Sequence, residues 1–295
     1  MKIEILLDAH ATIGESPTWV SREQAIYWID VKAPALHRIG INGGFGRTWR
    51  LPSDIGAFAL IKGRPEALVA LRHGLFRLNV GTEQLELLTP PPFDPSLHRF
   101  NEGACDSTGR FWVGTMFDPA EGGQHMPEPA SLHSFTLAGG LQAEPDAAEL
   151  HNGMAWSKDE RTYYLSHTQR GTVYAFPFDP EMGTLGERRP FVTIPESVGV
   201  PDGAALDEDG CYWCAIHGGS RLHRYRPDGT LDREVMLPVS QPTMCAFAGA
   251  DLETMVVTSA TDGLTPAQRR EQPHAGALLC FRPGVRGIQR HHTVR

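Results

Sequence analysis

Residues 152–176, NGMAWSKDERTYYLSHTQRGTVYAF, and residues 201–225, PDGAALDEDGCYWCAIHGGSRLHRY, follow one grammar. Each has a polar residue beside a glycine at or next to its start, Asn152-Gly153 or Asp202-Gly203, and runs through a short apolar segment. Each then turns at an acidic stretch, Lys158-Asp159-Glu160 or Glu208-Asp209-Gly210. A run rich in aromatic and β-branched residues follows, then a loop, then a third run ending on an aromatic residue. Residues 101–116, NEGACDSTGRFWVGTM, repeat the pattern and resume as ASLHSF at 130–135. Asp and Gly at the turns suit the positive-φ positions of tight hairpins. The runs TYYLSHT, CYWCAIH and RFWVGTM have strong strand character.

Working outward, the same pattern occurs in residues 14–39 (GESPTWVSREQAIYWIDVKAPALHRI), in 55–78 (IGAFALIKGRPEALVALRHGLFRL), and in 241–263 (QPTMCAFAGADLETMVVTSATDG), which resumes near GALLCF. The six start points lie about 40 to 50 residues apart, the period of a β-propeller blade. The expectation is therefore an all-β, six-bladed propeller, with outer strands in GFGRTWRL, QLELLT, ERRPFVTI and LDREVMLP. No 11-residue amphipathic helix stands out. A chain of 295 residues would suggest two domains at ~150 residues each. Six repeats argue instead for one ring over residues 1–295. The N-terminal KIEILLDA precedes the first repeat and is expected to close the ring as the outer strand of the last blade, beside the C-terminal IQRHHTVR. Closure hides strand edges.

Composition narrows the function. The net charge is −8, which argues against nucleic acid. No apolar stretch reaches the length of a membrane span, and MKIEILLDAHATIGE does not read as a signal peptide. Five scattered cysteines do not form a disulfide framework. A cytoplasmic protein, monomeric or a small homo-oligomer, is expected.

In such a ring the start of every first strand and every second-to-third loop emerge on one face. Glu15, Asn101 or Glu102, Asn152 and Asp202 then occupy nearly equivalent positions, each beside a glycine (Gly14, Gly103, Gly153, Gly203). Asn-Gly and Asp-Gly are also ordinary turn dipeptides, but four together at matching places point to a constellation. Converging carboxylates repel unless a cation lies between them. Oxygen donors suit Ca²⁺, Mg²⁺ or Mn²⁺, with Zn²⁺ or Fe²⁺ as further candidates.

GESPTW, RFNEGACDSTGRFWVGTM, NGMAWSKDERTYYLSHT and PDGAALDEDGCYWCAIHGG together resemble the regucalcin/gluconolactonase family of sugar-lactone lactonases, over essentially the whole chain. The resemblance implies a six-bladed propeller with one divalent metal on its axis, held by Glu15, Asn152 and Asp202. It places a substrate-facing R-x-N-[DE] stretch on Arg99, Asn101 and Glu102; many members carry Asp where this chain has Glu102. The implied reaction is hydrolysis of a sugar acid lactone to the free aldonic acid. The metal acts as Lewis acid and Asp202 is the candidate general base.

Other features read as structural. Cys211 and Cys214 lie within one strand and face opposite sides, as core residues do. Trp28, Trp112, Trp156 and Trp213 recur at blade positions and read as packing between blades. Ser16 lacks a nucleophile elbow. His167 and His217 follow second strands on the site face, with pocket and structural roles both open. His291 and His292 read as surface residues. The 118–130 loop is long enough for a lid and equally reads as a variable loop. Two other functions stay in view: a propeller hydrolase of organophosphate or aryl esters, and a non-catalytic Ca²⁺-binding propeller.

Overall fold

The computed structural model describes residues 1–44, 46–120 and 126–295. Among the described residues, β-strands form six sheets, antiparallel but for one short C-terminal strand, arranged as a six-bladed propeller. Blade 1 is built from Gly14–Val20, Ala25–Asp30, Ala35–Gly40 and Arg47–Arg50. Blade 2 runs through Ile55–Ile61, Glu66–Leu71, Gly74–Asn79 and Leu85–Thr89. Blade 3 comprises His98–Cys105, Phe111–Phe117, Ala130–Thr136 and Gly140–Ala148. Blade 4 has His151–Trp156, Thr162–His167, Thr172–Asp179 and Arg189–Thr193, with Thr184–Leu185 as a short extra strand. Blade 5 is Val200–Leu206, Tyr212–His217, Arg221–Tyr225 and Leu231–Met236.

Blade 6 takes Pro242–Ala248, Thr254–Ser259 and Leu278–Phe281 from the end of the chain and its outer strand, Glu4–Leu7, from the beginning. The ring closes as expected, but the neighbour of the closing strand differs. Glu4–Leu7 pairs with Leu278–Phe281, not with the C-terminal segment. Residues 287–294 instead turn inward, and Thr293–Val294 pairs in parallel with Leu60 and Ile61 on the inner strand of blade 2. One short helix, Pro266–Glu271, is capped by Thr265 and Gln268.

The core is divided as the repeats require. Six apolar clusters form, one between each adjacent pair of blades. Trp112 and Leu132 of blade 3 meet Met154, Tyr163 and Phe176 of blade 4. Trp213 of blade 5 meets Cys245 and Phe247 of blade 6. Trp19 and Trp28 of blade 1 meet Val256 and Leu278 of blade 6 and seal the closure. Burying each such side chain contributes about 1.5–3 kcal/mol. The turns are held by side chains as well. Asp207 Oδ1 accepts the Cys211 N–H at 3.0 Å, and its Oδ2 accepts the Trp213 indole N–H at 2.8 Å. Asp106 does the same for Arg110 N–H and the Trp112 indole in blade 3.

What positions the site is a shared irregularity. The pairing register of all six inner strands slips near their first residues: between Glu15 and Thr18, Ile55 and Ala57, Asn101 and Gly103, Asn152 and Ala155, Pro201 and Ala204, and Pro242 and Met244. Such bulges bend a strand and re-aim its side chains. Gly153 shows why glycine recurs there. Its φ is +65°, and a Cβ would lie 2.3 Å from the Tyr212 hydroxyl oxygen.

Candidate active site

The slips gather side chains from several blades around one cavity of about 250 Å³ at the start of the inner strands. Glu15, Arg99, Asn101, Asn152 and Asp202 all line it, with Thr168, His217 and Gln241 at its walls. Glu15 and Asp202 are both largely buried. Burial, then the neighbouring Glu102, pushes the Glu15 carboxyl up to about 8. Burial, then Glu15 and Glu102, pushes Asp202 well above the usual carboxylate range. Crowded, desolvated carboxylates with too little positive charge nearby are what a divalent cation relieves.

A chain of hydrogen bonds fixes the amides. Arg99 Nη1 donates to Asn101 Oδ1 at 2.9 Å. Asn101 Nδ2 donates to Asn152 Oδ1 at 2.8 Å and to the His151 carbonyl at 3.0 Å. Asn152 Nδ2 donates to Thr168 Oγ1 at 2.9 Å. Each amide therefore has its oxygen and nitrogen assigned by its partners. Arg99 is anchored from behind, with Nε donating to Asp118 Oδ2 at 2.7 Å. Asp118 also takes Lys32 Nζ at 2.6 Å and Arg72 Nη2 at 3.0 Å. Burial raises its carboxyl, but Arg99 and Lys32 outweigh this and hold it below its ordinary value.

Glu102 stands apart from the residues it was grouped with. Its φ is +45°, and its carboxylate turns toward blade 4. Oε2 accepts the Gly153 N–H and Oε1 the Met154 N–H, both at 2.7 Å. It is not among the residues lining the cavity. The bulge that frees two backbone N–H groups in blade 4 supplies its partners, so both of its oxygens are occupied by protein. The two histidines also separate. His217 lines the cavity, with its Nε2 3.2 Å from Gln241 Nε2. His167 is fully buried, with Nε2 2.8 Å from Asp146 Oδ2. His151 Nε2 reaches the same oxygen at 3.2 Å. These three form a second group able to hold a metal ion. The 118–130 loop keeps Asp118 at the site's edge; residues 121–125 lie outside the described residues.

Sequence reasoning missed Arg290. It belongs to the C-terminal segment, outside every repeat, and its guanidinium reaches the axis beneath the acidic residues. Nη2 donates to the Gly103 carbonyl at 2.7 Å. Burial lowers its pKa, while Glu102 and Glu15 raise it. No repeat pattern carries a signal for it.

Fold and site together define a six-bladed propeller with an acidic, amide-lined cavity on its axis. The chain belongs to the family described as SMP-30/Gluconolactonase/LRE-like region, which matches residues 13–261. It is 36% identical over 280 residues to a 6-deoxy-6-sulfogluconolactonase of Pseudomonas putida, covering 94% of this chain and 93% of that one. It is 28% identical to regucalcin of Gallus gallus, covering 98% and 97%. The crystal structure of a calcium-binding protein, regucalcin, from Agrobacterium tumefaciens superimposes with a TM-score of 0.88 at 26% identity, covering 98% of this chain and 96% of the other. No helix among the described residues is long and apolar enough to cross a membrane.

Proposed function

We propose that this protein hydrolyses the ring ester of a sugar acid lactone, with one divalent cation held by Glu15, Asn152 and Asp202. The observation that carries the reading is the convergence of two buried carboxylates and an oriented amide oxygen on the cavity that Arg99 and Asn101 also line. The names of the relatives support the same chemistry. All three donors are oxygens, which suits a hard cation; calcium comes first, because the Agrobacterium tumefaciens relative is a calcium-binding protein.

When bound, the cation supplies Lewis-acid polarisation of the lactone carbonyl. The chain's own residues do the rest. Asp202 accepts the proton of the attacking water. Arg99 spends Nε and Nη1 on Asp118, the Phe100 carbonyl and Asn101, and its Nη2 makes no hydrogen bond among the described residues. That group is left to grip a substrate hydroxyl or carbonyl oxygen. Asn101 holds Asn152 in register. The lining sets Glu15, Asp202 and Asp262 against Arg99 as its one guanidinium. That balance supports an uncharged, polyhydroxylated substrate. The five cysteines stand free, which supports a reducing, cytoplasmic setting.

The test is a pH-drop assay on xylono-, arabino-, galactono- and gluconolactone, after chelation and after adding back Ca²⁺, Mg²⁺, Mn²⁺ or Zn²⁺. Metal-restored opening of at least one lactone is expected. Fast hydrolysis of a phosphotriester or aryl ester with no lactone turnover would assign the site to the ester hydrolases instead. Inertness toward both would leave a cation-binding propeller.

A further inference from the structure

The cavity that Glu15, Asn152 and Asp202 line has a second wall. Arg99 and Asn101 enter the cavity from blade 3. In a ring of six, blade 6 lies across the axis from blade 3. Blade 6 brings Gln241, just ahead of the strand Pro242–Ala248, and Asp262, three residues past Thr254–Ser259. His217, the last residue of Tyr212–His217 in blade 5, stands beside them.

Hydrogen bonds assign the atoms of this wall. Gln241 Nε2 lies 3.0 Å from the Asp262 carbonyl, which can only accept, so the NH₂ group faces it. The second proton of that group serves His217 Nε2, 3.2 Å away. An imidazolium would set N–H against N–H there. His217 therefore accepts at Nε2 and carries its proton on Nδ1. Burial acts in the same direction, holding the imidazole below its ordinary value although Asp262 raises it in part. Among the described residues, Nδ1 makes no hydrogen bond. Asp262 is fixed through its backbone, whose N–H donates to the Thr12 carbonyl at 3.0 Å. Its carboxylate is exposed and makes no hydrogen bond or ion pair among the described residues. The wall thus offers one N–H donor and one carboxylate acceptor within electrostatic reach of each other.

We infer that, given the lactone hydrolysis proposed above, His217 Nδ1–H and the Asp262 carboxylate determine specificity by reading hydroxyl groups on the part of the substrate turned away from Arg99. A sugar hydroxyl accepts from the imidazole and donates to the carboxylate. The neutral ring adds no charge to the cavity, and the carboxylate turns away an anionic substituent. A site built to hydrogen-bond a hydroxyl discriminates strongly against the analogue lacking it. Gln241 stands behind His217 as a positioning residue that fixes which ring nitrogen carries the proton.

Steady-state kinetics on the fastest-hydrolysed of the four sugar lactones test this, with divalent-metal titration alongside. His217→Phe keeps a ring and deletes the donor; Asp262→Ala deletes the acceptor. Each should raise KM about tenfold or more, with kcat within about threefold and metal affinity unchanged, the pattern of lost substrate binding. His217→Asn sets an amide where Nδ1 stands and should recover most of the KM loss. A space-filling role predicts the reverse order, with Phe tolerated and Asn impaired. Should His217→Phe fail to fold, Asp262→Ala, at an exposed side chain, carries the test. A wild-type KM in a folded His217→Phe or in Asp262→Ala, a loss confined to kcat or to metal affinity, or His217→Asn no better than His217→Phe would each overturn the proposal and leave the lactonase reading standing. A wild type inert toward all four lactones would withdraw both.

Discussion

Asn101 Nδ2 donates to Asn152 Oδ1 at 2.8 Å, so one blade fixes the amide of the next. Asn152 in turn depends on Thr168 Oγ1 for its Nδ2. Thr168→Val keeps the side chain's shape and deletes that acceptor. The Asn152 amide then loses one of the two partners that hold it in place, and only Asn101 Nδ2 still fixes its oxygen. Divalent-metal affinity should fall by about tenfold, the low end for outer partners of a metal ligand. Calorimetric metal titration measures it. Unchanged affinity would mean that Asn101 alone orients Asn152.

Glu102 offers a sharper contrast with its neighbours. Glu102→Gln replaces one accepting oxygen by an NH₂ group facing either the Gly153 or the Met154 N–H. A buried donor left without an acceptor costs ~1–3 kcal/mol. A change of 1 kcal/mol moves Tm by roughly 2–4 °C in a chain of moderate size. Thermal melting should therefore drop by several degrees. A variant that melts normally but loses substrate affinity would return Glu102 to the substrate-binding group.

Two histidines, one buried and one half-buried, set an acid limit. Burial, with His151 nearby, holds His133 down to about 4, and burial holds His37 down to about 4, against an ordinary value of 6.5. Between pH 6.5 and about 4 the unfolded chain binds protons that these folded imidazoles refuse. Stability therefore rises with pH across that window and is lost as pH falls through it. His133→Gln should flatten the rise by up to one proton. Chemical denaturation at pH 4.5, 5.5 and 6.5 gives the slope; an equal slope in the variant would remove His133 from the account.

The repeats make the ring and its site face readable, because each blade carries the same turn, the same aromatic run and a polar residue beside a glycine. Glu15, Asn101, Asn152 and Asp202 meet at one cavity because they occupy nearly equivalent places in that grammar, and Arg99 joins them from two residues before Asn101 on the same strand. Glu102 is one residue from Asn101, and a bulge decides which of the two faces the cavity. The slip between Asn101 and Gly103 leaves no mark in composition. Arg290 and the strand Thr293–Val294 belong to a tail that fits no repeat, so their place on the axis depends on a long-range pairing with blade 2. Asp146 is invisible for the same reason. It sits on the outer strand of blade 3, and only folding brings it to His151 and His167.

Closure of the ring gives a direct test of its unity, which we propose extends over the whole chain. Deleting residues 1–8 removes the pairs Glu4–Cys280, Ile5–Leu279 and Leu7–Leu278 and exposes the edge of Leu278–Phe281. It also strips Leu6 and Leu7 from the cluster around Trp19 and Trp28. The truncated chain should melt several degrees lower, still in one transition. An unchanged Tm would show that blade 6 does not need the N-terminal strand. Two separate transitions would divide the ring into independent units.

Asp202→Asn separates the two roles assigned to one side chain. The substitution keeps the size and one oxygen donor but removes a negative charge and the capacity to take a proton. Asp202 is desolvated and faces Glu15 and Glu102, so removing its charge eases the crowding of the metal-free cavity. The metal-free variant should thus be at least as stable as the wild type near neutral pH. Cation affinity should fall, because charge neutralisation is weaker. Turnover at saturating metal should fall by a further ~10²–10⁴, the usual loss when a general base is removed. Comparing kcat at saturating cation with the affinity from a metal titration distinguishes the two losses. If excess metal restores wild-type kcat, Asp202 is a ligand alone. The proton acceptor must then be Glu15 or another group reaching the cavity, with His217 the first to replace, since it lines the wall and burial keeps its imidazole neutral.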